Sequence, residues 1–207
     1  MDTLPLTGGD DVHFSEELDH WLGGDGPKTL GGLIDAFAER GFAAGTIVLM
    51  MLPALPLPTG GVTHLFELIT VLLAAQMVLG RRAVWLPARW RRRELGGRTL
   101  GSAMPALVRR LRWFERWTRP RGRGLLETGA ARRVVGAVLV VLAAAAAAAP
   151  PFSGLDTLPA LGAVVVALGL LAGDLVFIVA GVVMGLVGIA LIATLGVALF
   201  KGIGSLF

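Results

Sequence analysis

Cysteine is absent from the 207 residues. That excludes a disulfide framework, a thiolate metal site and a cysteine nucleophile. Charge is scarce as well: 16% of residues are charged, against about 25% in a soluble domain. The shortage is concentrated. Residues 134–200 contain two charges, Asp156 and Asp174, and residues 41–80 contain one, Glu67. A soluble domain of this size has too much surface facing water to carry such runs. No basic segment leads into an apolar one at the N-terminus, so retained internal spans are expected to drive insertion. The common catalytic signatures are missing too: GxxxxGKS/T, GxGxxG after a strand, HExxH, GxSxG and a glycosidase-like acidic pair. The sequence implies no cofactor and leans away from an enzyme.

Apolar residues dominate. Hydrophobic residues make up 55% of the chain, and the mean hydropathy is +0.73. The pattern predicts an all-α membrane protein. Its charges are sharply segregated. Residues 1–40 hold nine Asp/Glu against Lys28 and Arg40, and residues 81–133 hold 16 Arg against Glu94, Glu115 and Glu127. Between apolar regions, such a basic segment is better explained by the positive-inside rule than by nucleic-acid binding, which is not expected. The N-terminus and residues 81–133 are therefore expected on the cytoplasmic side of the membrane.

Residues 1–28 read as an acidic tail, and 29–40 as an amphipathic helix with Leu30, Leu33, Ile34 and Phe37 on one face. The first apolar region, 42–80, is too long for one span and is broken by Pro53, Pro56, Pro58, Gly60 and Gly61. It must fold back, as arms 42–52 and 62–79. The second region, 134–173, breaks at Pro150, Pro151 and Gly154. A final span, 175–200, follows, with Gly181 and Gly185 in a GxxxG pattern suited to close helix packing. Each hairpin either crosses the bilayer twice or is re-entrant, with its tip inside.

The two hairpins look like copies. A shift of 93 places Pro58 on Pro151, Gly61 on Gly154, Leu65 on Leu158, Leu68 on Leu161 and Gly80 on Gly173. Thr63 falls on Asp156, and both suit the N-cap of a returning arm. Weak internal symmetry of this kind marks transporter-like folds. Both hairpins should enter from the same side.

Two sets of residues carry candidate chemistry. Arg81, Arg82, Trp85 and Arg89 follow directly on the first hairpin. Tryptophan suits headgroup depth, and arginine grips phosphate with two hydrogen bonds. Beyond them, Met104, Leu107, Val108, Leu111 and Phe114 form an apolar stripe among arginines and tryptophans, as in an interfacial helix. The plain reading of this basic segment is topology and anchoring; the sharper one is a site for an anionic, phosphate-bearing lipid. The second set lies inside the apolar regions. An ionisable residue there is a functional candidate by default. His64 and Glu67 share a helical face, fit for relaying a proton or holding a cation; the plain reading is a carboxylate near a helix N-terminus. Asp156 reads as a cap or tip residue, Asp174 as an interfacial turn, and Gln76 as a hydrogen-bond partner for a neighbouring helix. His13, Glu17 and His20 have metal-like spacing but read as a solvated surface, so no metal is expected.

In order along the chain, Glu39-Arg40-Gly41-Phe42, Leu55-Pro56-Leu57-Pro58-Thr59-Gly60, Gly80-Arg81-Arg82 and Trp85-Leu86-Pro87 precede Glu115-Arg116, Arg119-Pro120-Arg121, Pro150-Pro151-Phe152-Ser153-Gly154 and Leu158-Pro159-Ala160-Leu161. With Ala167-Leu168-Gly169-Leu170-Leu171, the set resembles the bacterial exopolysaccharide-synthesis ExoD family over roughly residues 29–200. Members often carry an acidic-basic-acidic run after the fourth arm; here only Asp174 remains. The resemblance implies a membrane protein tied to exopolysaccharide production and brings no defined reaction. The expectation is a non-enzymatic accessory or transporter-like protein handling a polyprenyl-phosphate-type lipid or a lipid-linked sugar. The alternatives are a small ion or proton transporter using Glu67 and His64, or a scaffold of the polysaccharide machinery. Expected partners are the bilayer, its anionic lipids and other proteins of that machinery.

Overall fold

The computed structural model describes residues 40–55, 62–81, 83–85, 87–92, 121–126, 128–150 and 153–204, with isolated positions 20, 23, 24, 28, 29 and 32 before them. The described residues form helices and turns, with no strand. Five helices build the body: α1 (Arg40–Met50), α2 (Val62–Val78), α3 (Gly129–Ala147), α4 (Thr157–Ala172) and α5 (Leu175–Gly204). Single turns at Ala88–Arg91 and Arg123–Leu126 lie between α2 and α3. Pro56, Pro58, Gly60, Pro151, Arg82 and the apolar stripe 104–114 fall outside the described residues, as does most of the expected helix 29–40.

At 1.5 Å per residue the helices measure about 16, 25, 28, 24 and 45 Å, against a hydrocarbon core of about 30 Å. Two of them, Gly129–Ala147 and the stretch Leu175–Leu195 of α5, are long and apolar enough to cross a membrane. Helix α3 begins five residues earlier than its apolar run. Thr128 is the reason: its Oγ1 accepts a hydrogen bond from Ala131 N at 3.3 Å. That cap draws Arg132 and Arg133 into the helix.

Helix α1 pairs with α2, and α3 with α4, as two hairpins. They exchange partners: α1 also packs on α4, and α2 on α3. Phe42, Met50, Leu139, Leu142 and Val166 fill the centre. Both hairpins point the same way. Arg132 Nη2 donates to Arg81 O at 3.4 Å, joining the end of α2 to the start of α3, and Gly122 lies against Leu175 at the start of α5. The turns after α1 and α3 are at the other end.

The second arms end alike. Gly80 (φ 78°) and Gly173 (φ 69°) are both left-handed. Gly80 N donates to Met77 O (2.9 Å) and Arg81 N to Gln76 O (3.0 Å); Gly173 N donates to Leu170 O (3.4 Å) and Asp174 N to Gly169 O (2.9 Å). The two sets of bonds are related by the same 93-residue shift. Each is a Schellman-type cap, which satisfies the last carbonyls of a helix and favours glycine at the left-handed position. Asp174 then starts the next helix, its Oδ1 accepting from Val176 N at 2.9 Å.

Small residues bring α4 and α5 together. A methyl group added at Gly162 would lie 2.7 Å from both Gly181 O and Gly185 N, and one at Gly181 would lie 2.6 Å from Val166 N. Gly185 also touches Leu142 of α3. Without a hydrophobic force between helices in lipid, such close packing is a main source of association.

Candidate functional site

The buried stripe of α2 runs Thr63, Glu67, Thr70, Ala74 and Met77. Its spacing of four, three, four and three keeps one face inward. Towards the hairpin tips this stripe is polar; towards the arginine end it is apolar. Thr70 settles its hydroxyl locally, donating to Phe66 O at 2.8 Å.

Glu67 has 0% side-chain exposure, and His64, one turn earlier, has 31%. His64 Nδ1 lies 2.8 Å from Glu67 Oε2. An ionised carboxylate can only accept, so that form of the pair assigns the hydrogen to Nδ1. Glu67 Oε1 is buried with no hydrogen-bond partner. Asp156, at the tip of the second hairpin, is close enough for its charge to be felt at Glu67. Two buried threonine hydroxyls, Thr46 Oγ1 on α1 and Thr157 Oγ1 on α4, also lack partners. Buried polar groups are nearly always satisfied, which sets these atoms apart from the apolar packing around them.

The sequence-level caps of the returning arms need correction. Asp156 precedes α4, but its backbone is already helical (φ −65°, ψ −26°), and its side chain makes no capping bond. A capping side chain needs the extended backbone that Thr128 has and Asp156 lacks. Thr63 is the second residue of α2 rather than its cap, and is buried.

At the opposite end, Arg81 and Trp85 are exposed, with the guanidinium carbon 6.0 Å from the ring centre. This is cation–π range. Gln76 does not bond a neighbouring helix; its Oε1 accepts from Trp85 N at 2.7 Å and ties the following segment to α2. Arg89 is exposed on its own single turn. The second hairpin contributes two arginines that the sequence reading missed. Arg132 reaches Arg81 O, and the Arg133 guanidinium lies over Gly80, 2.9 Å from where a methyl group there would be. Beside them exposed apolar groups face outward: Leu79 at 75%, Val134 at 63% and Trp85 at 58%. The arrangement is an arginine corner at the end of an apolar wall. No linear spacing reveals it, because 51 residues separate Arg81 from Arg132. Among the described residues no group of three or more His, Cys, Asp or Glu could hold a metal ion.

Over 196 residues the chain is 26% identical to the uncharacterized protein slr1875 of Synechocystis sp. (strain ATCC 27184 / PCC 6803 / Kazusa), covering 93% of this chain and 92% of that protein. No solved structure matches it. Residues 14–194 match the family described as "Exopolysaccharide synthesis, ExoD". A match over most of the length shows that the chain belongs to the exopolysaccharide-synthesis ExoD family.

Proposed function

We propose that this ExoD-family protein is a non-enzymatic, transporter-like accessory of exopolysaccharide synthesis that holds an anionic lipid, of the polyprenyl-phosphate type or lipid-linked sugar, at its arginine corner. The observation that carries the reading is the joining of Arg81 and Trp85 to Arg132 and Arg133 beside the outward apolar wall of Leu79 and Val134. Guanidinium groups suit phosphate oxygens, and an aromatic ring at headgroup depth suits the glycerol or sugar region. An apolar wall below them suits a tail, which distinguishes a lipid from a free anion. Arg82 and Arg89 extend the positive field of this end.

The parallel hairpins support the transporter-like part of the reading. The matching caps at Gly80 and Gly173 fit an internal duplication, and repeats are a common basis of alternating access. With the arginine end cytoplasmic in the inner membrane, the tips face the periplasmic side. The first hairpin, with an arm of about 16 Å, fits a re-entrant loop better than two full crossings.

The test is a pair of charge-removing changes, Arg81→Gln with Arg133→Gln, in the whole protein in its native host. The expected result is normal protein level and insertion with a several-fold loss of exopolysaccharide. In vesicles, quenching of Trp85 fluorescence by a brominated anionic lipid should exceed quenching by a brominated zwitterionic one, with Trp85→Phe giving the background. Unchanged polymer output together with equal quenching would sink the reading.

A further inference from the structure

We propose that Glu67 and His64 form a proton-uptake site, buried in the first hairpin and filled from the tip end of the bundle. This goes beyond the lipid reading and rests on different residues.

The argument starts from Glu67 Oε1, a carboxylate oxygen with no partner on a side chain of 0% exposure. A carboxylate in the membrane needs a counter-charge, a proton or coordinating ligands. A transition-metal ion would need several ligands around it, and among the described residues no group of three or more His, Cys, Asp or Glu is there to supply them. A proton needs one acceptor. His64 is placed to deliver it, with Nδ1 2.8 Å from Oε2 and about a third of its side chain, 31%, exposed.

The transfer balances. In the starting state Glu67 is ionised and His64 is neutral with its hydrogen on Nδ1. A proton from water binds Nε2. The Nδ1 hydrogen then moves to Oε2. The N–H bond at Nδ1 breaks, the O–H bond at Glu67 forms, and the imidazole is neutral again as its other tautomer. One proton has entered and one carboxyl has been neutralised. Return to the first tautomer resets the ring.

The surroundings leave this pair in control. Among the described residues, the other charged groups on the tip side are Asp156, in the turn before α4, and Lys201, near the C-terminal end of α5 and more than three turns beyond the Gly188 contact with Pro159. On α1 the only ionisable residue is Arg40, and on α3 they are Arg132 and Arg133, all at the opposite end. Asp174 is likewise at the far end, before α5. Asp156 places a second carboxyl group on the tip side of the neighbouring hairpin.

The experiment is carbodiimide labelling of the whole protein in phosphatidylcholine–phosphatidylglycerol vesicles. Dicyclohexylcarbodiimide takes the proton of a carboxyl group in apolar surroundings onto nitrogen while the carboxylate oxygen adds to its central carbon, and peptide mass spectrometry locates the adduct. The expected result is labelling at Glu67 that rises as pH falls and disappears in Glu67→Gln. His64→Leu, with its melting temperature checked, should move the half-labelling pH by about one unit or more, since it removes a charge-assisted hydrogen bond and leaves no donor in its place. Wild-type vesicles with pH set separately on each face give a second readout that needs no variant at the pair. Labelling should follow the pH on the face where a Ser153→Cys thiol is accessible. No adduct at Glu67 at any pH while other carboxyls react, or an unmoved profile in a folded His64→Leu protein, would overturn the site. Dependence on the opposite face would overturn the entry route.

Discussion

Replacing Gly162 or Gly181 with alanine should wedge α4 away from α5. At Gly162 the new methyl carbon would lie 2.7 Å from Gly181 O and Gly185 N and 2.8 Å from Gly185 Cα. At Gly181 it would lie 2.6 Å from Val166 N and 2.7 Å from Gly162 O. Carbon contacts are comfortable near 3.5–4.0 Å, so the backbones must separate by roughly 1 Å. The obstacles include main-chain atoms, which no rotamer change can move aside. Overpacking of this sort costs about 1–3 kcal/mol, and each alanine should fall towards the upper part of that range. The two changes open the same gap, so the double variant should lose clearly less than the sum of the singles. Gly124→Ala is the control, since nothing lies within 4 Å of a methyl there. The assay is reversible unfolding in mixed micelles, followed by circular dichroism. Full additivity, or a Gly181→Ala protein as stable as the control, would refute the close-packing argument.

Three other outcomes are expected. Gly80→Ala and Gly173→Ala should each cost about 1–2 kcal/mol, because both positions are left-handed, and asparagine should be tolerated better at both; micelle unfolding measures it. Thr128→Ala should cost about 1 kcal/mol through the lost cap of α3, and hydrogen exchange should quicken at Ala130–Arg132 before it changes deeper in the helix. Gln76→Leu removes the acceptor of Trp85 N, at a cost of about 1 kcal/mol, and should speed amide exchange at Trp85 while leaving α2 protected.

The helix breaks were legible because proline and glycine interrupt apolar runs for local reasons. Three of the five helices start and end within about two residues of the apolar arms, and α5 starts where expected but runs four residues further. Helix α3 is the exception at its start. Arg132 and Arg133 look like loop residues by composition, but a threonine cap outweighs that, since a charged pair in the first turns can still reach the headgroups. Glu67 and His64 stood out because charge is so rare nearby. The threonines around them did not, being uncharged and common, although the spacing of Thr63, Glu67 and Thr70 on one face of an apolar helix was a readable signal. Asp156 was readable in place but not in detail. It stands at the tip and at the N-cap position of α4, but its side chain makes no capping bond, because that depends on backbone angles that a sequence does not display. The arginine corner was half visible, because Arg81 and Trp85 are neighbours in the chain and their companions arrive through packing of α2 on α3.

The unequal arms have a mechanical consequence for the bilayer. Helix α1 is about 16 Å long beside α3 at about 28 Å. Lipids meeting the short side must shorten their own span, or else water must fill the difference. Under the proposed seating, with the first hairpin in the bilayer and its tip towards the far face, either response would thin the apolar layer there. A proton or headgroup approaching from that face would then meet a shorter barrier, set by the outline of the helices before any side chain takes part.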